Sequence, residues 1–228
     1  MKKFLMNRLK AVLLKRKKII VSEMIGMGRE RRIPLEFLSE IDYIRTSTLE
    51  LAANEIYASG VEGATAELGV FRGDFAQYIN QLFPDRKLYL FDTFTGFDER
   101  DLEEEHVRGY NATRNERFAT QGSIDSVMSK MKYPDNCIAR IGYFPETSAG
   151  LEDERYCFVS IDVDLYQPIY QGLTYFYPRL SKGGFIFIHD YHKVIFKGCK
   201  EAVKQFCAEN NIGFVPLTDR GGTVVITK

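Results

Sequence analysis

The chain of 228 residues has no tryptophan, only four cysteines and no net charge at neutral pH, with 31 basic side chains against 31 acidic ones. Cys137, Cys157, Cys199 and Cys207 form no Cys-x-x-Cys pair, so the usual spacing of a zinc site or a dithiol centre is missing, and they read as reduced core residues. No stretch reaches the roughly 18 uncharged apolar residues of a membrane span. The apolar run from Ala11 to Leu14 is too short for a secretory segment, which makes a cytoplasmic protein the expectation. There is no internal repeat, no low-complexity tract and no glycine-lysine loop for a nucleoside triphosphate. No nucleic-acid partner is expected.

The zero total hides an asymmetry. Residues 1–32 hold eleven Lys and Arg against two Glu, and the remainder holds twenty basic residues against twenty-nine acidic ones. Within residues 1–21, Phe4, Leu5, Leu9, Val12 and Leu13 recur at near-helical spacing among Lys2, Lys3, Arg8, Lys10 and the Lys15–Lys18 cluster. That is a basic amphipathic helix, read either as a contact with an anionic membrane surface or as a helix packing on its own domain or on a twin subunit in a homodimer. Residues 1–45 are therefore taken as an N-terminal appendage, with Gly26 and Gly28 in a flexible connection, and residues 46–228 as one domain. The chain's 45% hydrophobic content suffices for a single large core.

Along that domain, helical and strand-like segments alternate. Thr46-Ser-Thr-Leu-Glu50 opens a helix with hydroxyl caps. Apolar runs follow near residues 64–68, 87–92, 137–141, 157–161 and 183–188, each with the branched and aromatic content of a buried parallel strand. Ser181 to Gly184 reads as a turn, and 213–216 with 223–227 as a closing antiparallel hairpin. Residues 95–122 are polar and too long for an ordinary connection, which marks them as a lid or substrate loop.

The chemistry sits at the ends of the runs. Glu67-Leu-Gly-Val-Phe-Arg-Gly73 caps a strand with an acid and brings backbone close to a ligand at Gly69 and Gly73. This suits the ammonium and sulfonium of S-adenosylmethionine better than a phosphate. Asp92 ends the next strand, where it can accept ribose hydroxyls. Ser160-Ile-Asp-Val-Asp-Leu-Tyr166 and His189-Asp-Tyr191 end two further runs that look like neighbours, so their acidic tips would meet. Crowded carboxylates call for a divalent cation, with Asp162, Asp190 and His189 as candidate ligands and Asp164 beside it as a base. Regular strand alternation would point His189 away from Asp190. His106 and His192 are weaker candidates for the base. Asp162-Val-Asp164 also fits the Asp-x-Asp of a metal-dependent glycosyltransferase, and a non-catalytic cofactor-binding protein is a third reading.

Taken with Tyr89-Leu-Phe-Asp-Thr-Phe-Thr-Gly-Phe97 and Tyr177-Pro-Arg-Leu-Ser-Lys-Gly-Gly-Phe185, these motifs resemble the macrocin O-methyltransferase family over about residues 45–228. The resemblance implies a class I methyltransferase fold: a Rossmann-like, mostly parallel seven-stranded sheet with an antiparallel C-terminal hairpin and helices on both faces. It also implies S-adenosylmethionine, Mg²⁺ and a sugar or glycan-like small-molecule acceptor. Cofactor contacts are then expected at Glu67, Gly69, Val70, Gly73, Asp92, Thr93, Ser123 and Asp162. The metal falls to Asp162, His189 and Asp190, and the general base to Asp164. Histidine at 189 stands where the family's antibiotic enzymes carry aspartate, which moves the metal preference from Mg²⁺ towards Mn²⁺ or another transition metal.

Overall fold

The computed structural model describes Arg8, Val12, residues 42–110 and residues 123–228. The chain divides into two compact units, Met1–Arg31 and Arg32–Lys228. In the first, Arg8 and Val12 are helical and exposed. The expected basic helix with its membrane or dimer contacts, the connection at 22–41 and residues 111–122 of the lid lie outside the described residues. No helix among the described residues is long and apolar enough to cross a membrane.

The apolar runs form β1 (Ala64–Leu68), β2 (Leu88–Asp92), β3 (Cys137–Ile141), β4 (Tyr156–Ile161), β5 (Leu180–Ile188), β6 (Val215–Pro216) and β7 (Val224–Thr227). They make one seven-stranded sheet in the order β3-β2-β1-β4-β5-β7-β6. The first five strands are parallel, and β7 runs antiparallel to both β5 and β6. This is the class I methyltransferase arrangement. Helix α1 (Tyr43–Ala58) precedes β1, and between the strands lie α2 (Ala76–Leu82), α3 (Glu99–Val107), α4 (Ile124–Met128), α5 (Tyr166–Arg179) and α6 (Lys197–Asn210).

Strand alternation splits the core into two layers. Leu88 and Leu90 of β2 pack with Leu49, Ala53 and Ile56 of α1 and with Ile79 and Leu82 of α2. Tyr89 and Phe91 face the opposite layer, with Ile169, Leu173 and Phe176 of α5 and Val203 and Phe206 of α6. Helices on both faces explain why β4 is buried along its whole length and reads as a continuous apolar run. Cys157 is the extra residue where β4 slips register against β1, so Cys157 and Phe158 turn to the same layer.

Two local expectations are corrected. Helix α1 starts at Tyr43 because Asp42 caps it, its carboxylate accepting from the Ile44 amide at 2.8 Å. The hydroxyls of Thr46, Ser47 and Thr48 lie inside the helix and donate back to carbonyls of the preceding turn. Ser181–Gly184 does not form a separate turn, since β5 begins at Leu180, directly after α5. Residues 95–110 contain α3, whose buried Glu105 accepts from the Tyr166 amide at the start of α5 at 2.6 Å.

Phe176 has no exposed surface and meets the rings of Phe91, Phe144, Tyr156 and Tyr175 at centroid separations of 4.9–5.9 Å. Phe176→Ala is expected to cost about 3–5 kcal/mol of unfolding free energy. Urea unfolding followed by circular dichroism checks this, and a loss below about 1 kcal/mol would mean that the layer is not close-packed there.

Candidate active site

The strand order reverses direction between β1 and β4, and the crevice opens at their carboxyl ends. Gly69 leaves β1 at φ +89°, and a Cβ there would lie 2.2 Å from the Asp162 carbonyl oxygen, so only glycine lets the two strand ends run this close. A cavity of about 300 Å³ spans the strand tips, from Tyr143 beyond β3 to Lys193 beyond β5. Of the residues singled out from the sequence, Glu67, Gly69, Val70, Asp92, Thr93, Asp162, Asp164, His189 and Asp190 line it.

Gly73 and Ser123 are placed elsewhere. Gly73 turns at φ +74° beneath the Val127 side chain, and Ser123 is the exposed cap of α4, accepting from the Ser126 amide. His106 and His192 are exposed and do not line the cavity. Asp92 is more engaged than its expected role requires. Its Oδ2 accepts from the amides of Val70 and Phe71, and its Oδ1 from Phe94, all at 2.7 Å. A carboxylate offers about four acceptor positions, so Asp92 mainly ties the loops after β1 and β2 together while facing the cavity.

The acidic tips do meet. Strand β5 ends at Ile188, and Asp190 takes a left-handed φ of +62°, so alternation no longer separates it from His189. The imidazole Nδ1 lies 3.1 Å from Asp162 Oδ1 and 2.9 Å from Asp190 Oδ1. One ligand atom from each of these three residues falls within 4.8 Å of the others. Asp164, also left-handed at φ +62°, is buried beside them with Oδ1 lacking any hydrogen-bond partner.

The environment separates the carboxyls electrostatically. Burial raises Asp162, but His189 and Arg45 outweigh it and hold its pKa well below the ordinary carboxylate range. Burial and the Asp190 carboxylate push Asp164 well above that range. Burial alone would raise Asp190 as well, yet its contacts with His189 and Asp164 bring it lower. Glu67, enclosed at the end of β1 with Oε2 unpartnered, is driven strongly upward by desolvation, against the pull of Arg45.

Arg45 was not singled out from the sequence. It reaches in from α1, almost wholly buried, donating to Asp162 Oδ2 at 2.9 Å and to Ser160 Oγ at 3.2 Å, with its guanidinium 3.8 Å from the Phe75 ring centroid. Lys193 plays the matching part for Asp190, with Nζ 2.6 Å from Oδ2. Each of these two carboxylates thus turns one oxygen to a cation and the other to His189. The only signal for Arg45 in the sequence was an isolated charge in the first turn of a helix.

Residues 14–225 match the macrocin-O-methyltransferase (TylF) family. The chain belongs to the macrocin O-methyltransferase family. It is 29% identical over 182 residues to the mycinamicin III 3''-O-methyltransferase of Micromonospora griseorubida, covering 71% of this chain and 67% of that one. It is 25% identical over 190 residues to the 8-demethyl-8-(2,3-dimethoxy-alpha-L-rhamnosyl)-tetracenomycin-C 4'-O-methyltransferase of Streptomyces olivaceus, covering 79% and 71%. The solved structure of the O-methyltransferase NovP superposes with a TM-score of 0.65 at 21% identity, covering 81% of this chain and 79% of the other, and shares its fold. The protein is an S-adenosylmethionine-dependent O-methyltransferase. The glycosyltransferase reading of Asp162-Val-Asp164 and the reading as a non-catalytic cofactor-binding protein fall away.

At the far end of the methyltransferase cavity, Asp101 of α3 accepts from the Tyr143 hydroxyl at 3.0 Å. Burial lifts its pKa from 3.8 to about 6, only partly offset by that hydrogen bond. The folded state therefore holds the proton more tightly than the unfolded chain. This group destabilises the fold progressively as pH rises from about 4 through 6, by at most about 3 kcal/mol. Asp101→Asn keeps an acceptor for Tyr143 and is expected to gain stability relative to the parent over that window. Urea unfolding of both proteins at pH 4, 5, 6 and 7 tests this, and a difference that stays constant with pH would contradict it.

Proposed function

We propose that this methyltransferase acts on a sugar hydroxyl and works with a divalent cation held by Asp162, His189 and Asp190. The observation that carries the reading is the convergence of those three ligand atoms on the cavity that Gly69 and Asp92 line. The donor set fits a cation: two carboxylates and one imidazole, with Arg45 and Lys193 holding the outer oxygens of Asp162 and Asp190. The imidazole favours Mn²⁺ or another transition metal over Mg²⁺. The acceptor class rests on the relatives, one of which is named for methylating a rhamnosyl group.

Bound there, the cation would supply positive charge that makes an acceptor hydroxyl more acidic and fixes its position. S-adenosylmethionine supplies the methyl group. Glu67, buried at the end of β1, suits the cofactor's ammonium, and Gly69 lets its backbone lie against the strand end. Asp92 keeps the two flanking loops in place around the ribose. Burial and the Asp190 charge make Asp164 hold a proton, and a cation bound beside it would offset that charge. Ionised, Asp164 Oδ1, buried and unpartnered inside the same cavity, is the atom placed to take the hydroxyl proton as the oxygen attacks the methyl carbon and the carbon–sulfur bond breaks, leaving S-adenosylhomocysteine. Holding the acceptor oxygen and sulfonium in line accounts for much of the expected rate.

Two measurements follow, using incorporation of labelled methyl groups into a panel of L-rhamnosides and nucleotide-linked deoxysugars. Asp164→Asn is expected to bind S-adenosylhomocysteine in calorimetry as the parent does and to lose about 10²–10⁴-fold in kcat. Undiminished turnover would move the base elsewhere. Chelation with EDTA is expected to abolish methyl transfer, and Mn²⁺ to restore it. Full activity in the chelated protein would remove the cation from the reading.

A further inference from the structure

Behind His189, on the side away from the cavity, lies the turn that joins β6 to β7. Its fit is close. A Cβ on Gly221 would come within 2.3 Å of His189 Nε2 and 2.5 Å of Asp190 Oδ1, so the bare backbone of this turn packs directly on two of the three cation ligands. Two residues earlier, Asp219 is buried and does not line the cavity. Its carboxylate is fixed by the Thr223 amide at 2.6 Å and the Thr223 hydroxyl at 2.7 Å. The oxygen that accepts from the hydroxyl, Oδ2, stands 3.7 Å from His189 Nε2.

We propose that Asp219 is a positioning residue that acts through the His189 ring to strengthen divalent-cation binding. The inference rests on the cation site proposed above. Of the two ring nitrogens, Nδ1 is the one that faces Asp162 Oδ1 and Asp190 Oδ1. A ligating nitrogen must present its lone pair, so the ring proton has to sit on Nε2. An N–H dipole directed at a buried carboxylate is favourable, and a lone pair directed at it is not. Asp162 and Asp190 hold a proton on Nδ1 while the site has no cation. Asp219 works against them, lowering the cost of moving that proton to Nε2 when a cation takes Nδ1, and its negative charge stabilises the positive charge that a ligated imidazole takes on. At 3.7 Å the contact is electrostatic rather than a hydrogen bond, and it operates in a buried setting where such terms are weakly screened. Burial of the ring and the Arg45 charge oppose the charge term, and Asp162 and Asp190 reinforce it from the other side of the ring.

The test is a double-mutant cycle on Mn²⁺ affinity, read by electron paramagnetic resonance of the free ion, in the parent, Asp219→Asn, His189→Asp and the double variant. Aspartate at 189 is still a ligand but has no second nitrogen for residue 219 to orient. Asp219→Asn is expected to weaken Mn²⁺ binding about 10–100-fold beside His189 and less than about twofold beside Asp at that position. Equal losses in both backgrounds, or no loss in either, would overturn the inference, because the turn would then act only as structure or not at all. Failure of the parent itself to bind Mn²⁺ would instead remove the cation site. If Asp219→Asn does not fold, Thr223→Val removes one of the two bonds that hold the carboxylate, and a smaller loss that again requires His189 is expected.

Discussion

Asp162, Asp164, His189 and Asp190 crowd the ends of two adjacent strands, and the structure around them is arranged so that this crowding can persist. Buried carboxylates without partners would take up protons or push apart. Two cations prevent that, Arg45 from α1 at Asp162 and Lys193 from the loop after β5 at Asp190. Losing Arg45 would leave Asp162 with His189 as its remaining charge partner, and breaking a buried pair in this way usually costs about 3–5 kcal/mol. Helix α1 is thus part of the site as well as a cover for the sheet.

The sheet topology supplies the rest of the geometry. Reversal of strand order at β1 and β4 opens the crevice, and Gly69 lets the chain pass over the Asp162 carbonyl without a side chain in the way. Two left-handed residues, Asp164 and Asp190, turn carboxylates into the cavity from strands whose regular pleat would have scattered them. On the far side of His189, the glycine turn between β6 and β7 closes the cluster from behind. Functional groups from four strand ends and one helix are brought together by backbone geometry, and charge then decides which of them hold protons.

Much of this was legible in the chain. Five apolar runs between helical segments marked the parallel strands, because a strand buried on both faces cannot hide its composition. Acids at the ends of those runs pointed to the crevice, and nine of the eleven expected site residues line it. The remaining features depend on contacts that no local pattern encodes. Arg45 meets Asp162 across 117 positions of sequence, and Asp219 sits in a polar turn that reads as ordinary surface. Regular alternation would separate His189 from Asp190, and the left-handed turn at Asp190 breaks that period. At the start of α1, Thr46-Ser-Thr48 offered three plausible caps, and Asp42 took the position instead, its carboxylate reaching the Ile44 amide one turn earlier. Ser123 stands as the cap of α4.

The central claim is that the strand-tip cluster is a divalent-cation site within a methyl-transfer cavity. Crystals grown with Mn²⁺ and S-adenosylhomocysteine test it most directly, through anomalous scattering at the manganese edge. The account predicts one strong peak within bonding distance, about 2.0–2.3 Å, of Asp162, His189 and Asp190, in the same cavity as the bound cofactor product. A cavity that holds the product with no anomalous peak at those three residues would contradict it.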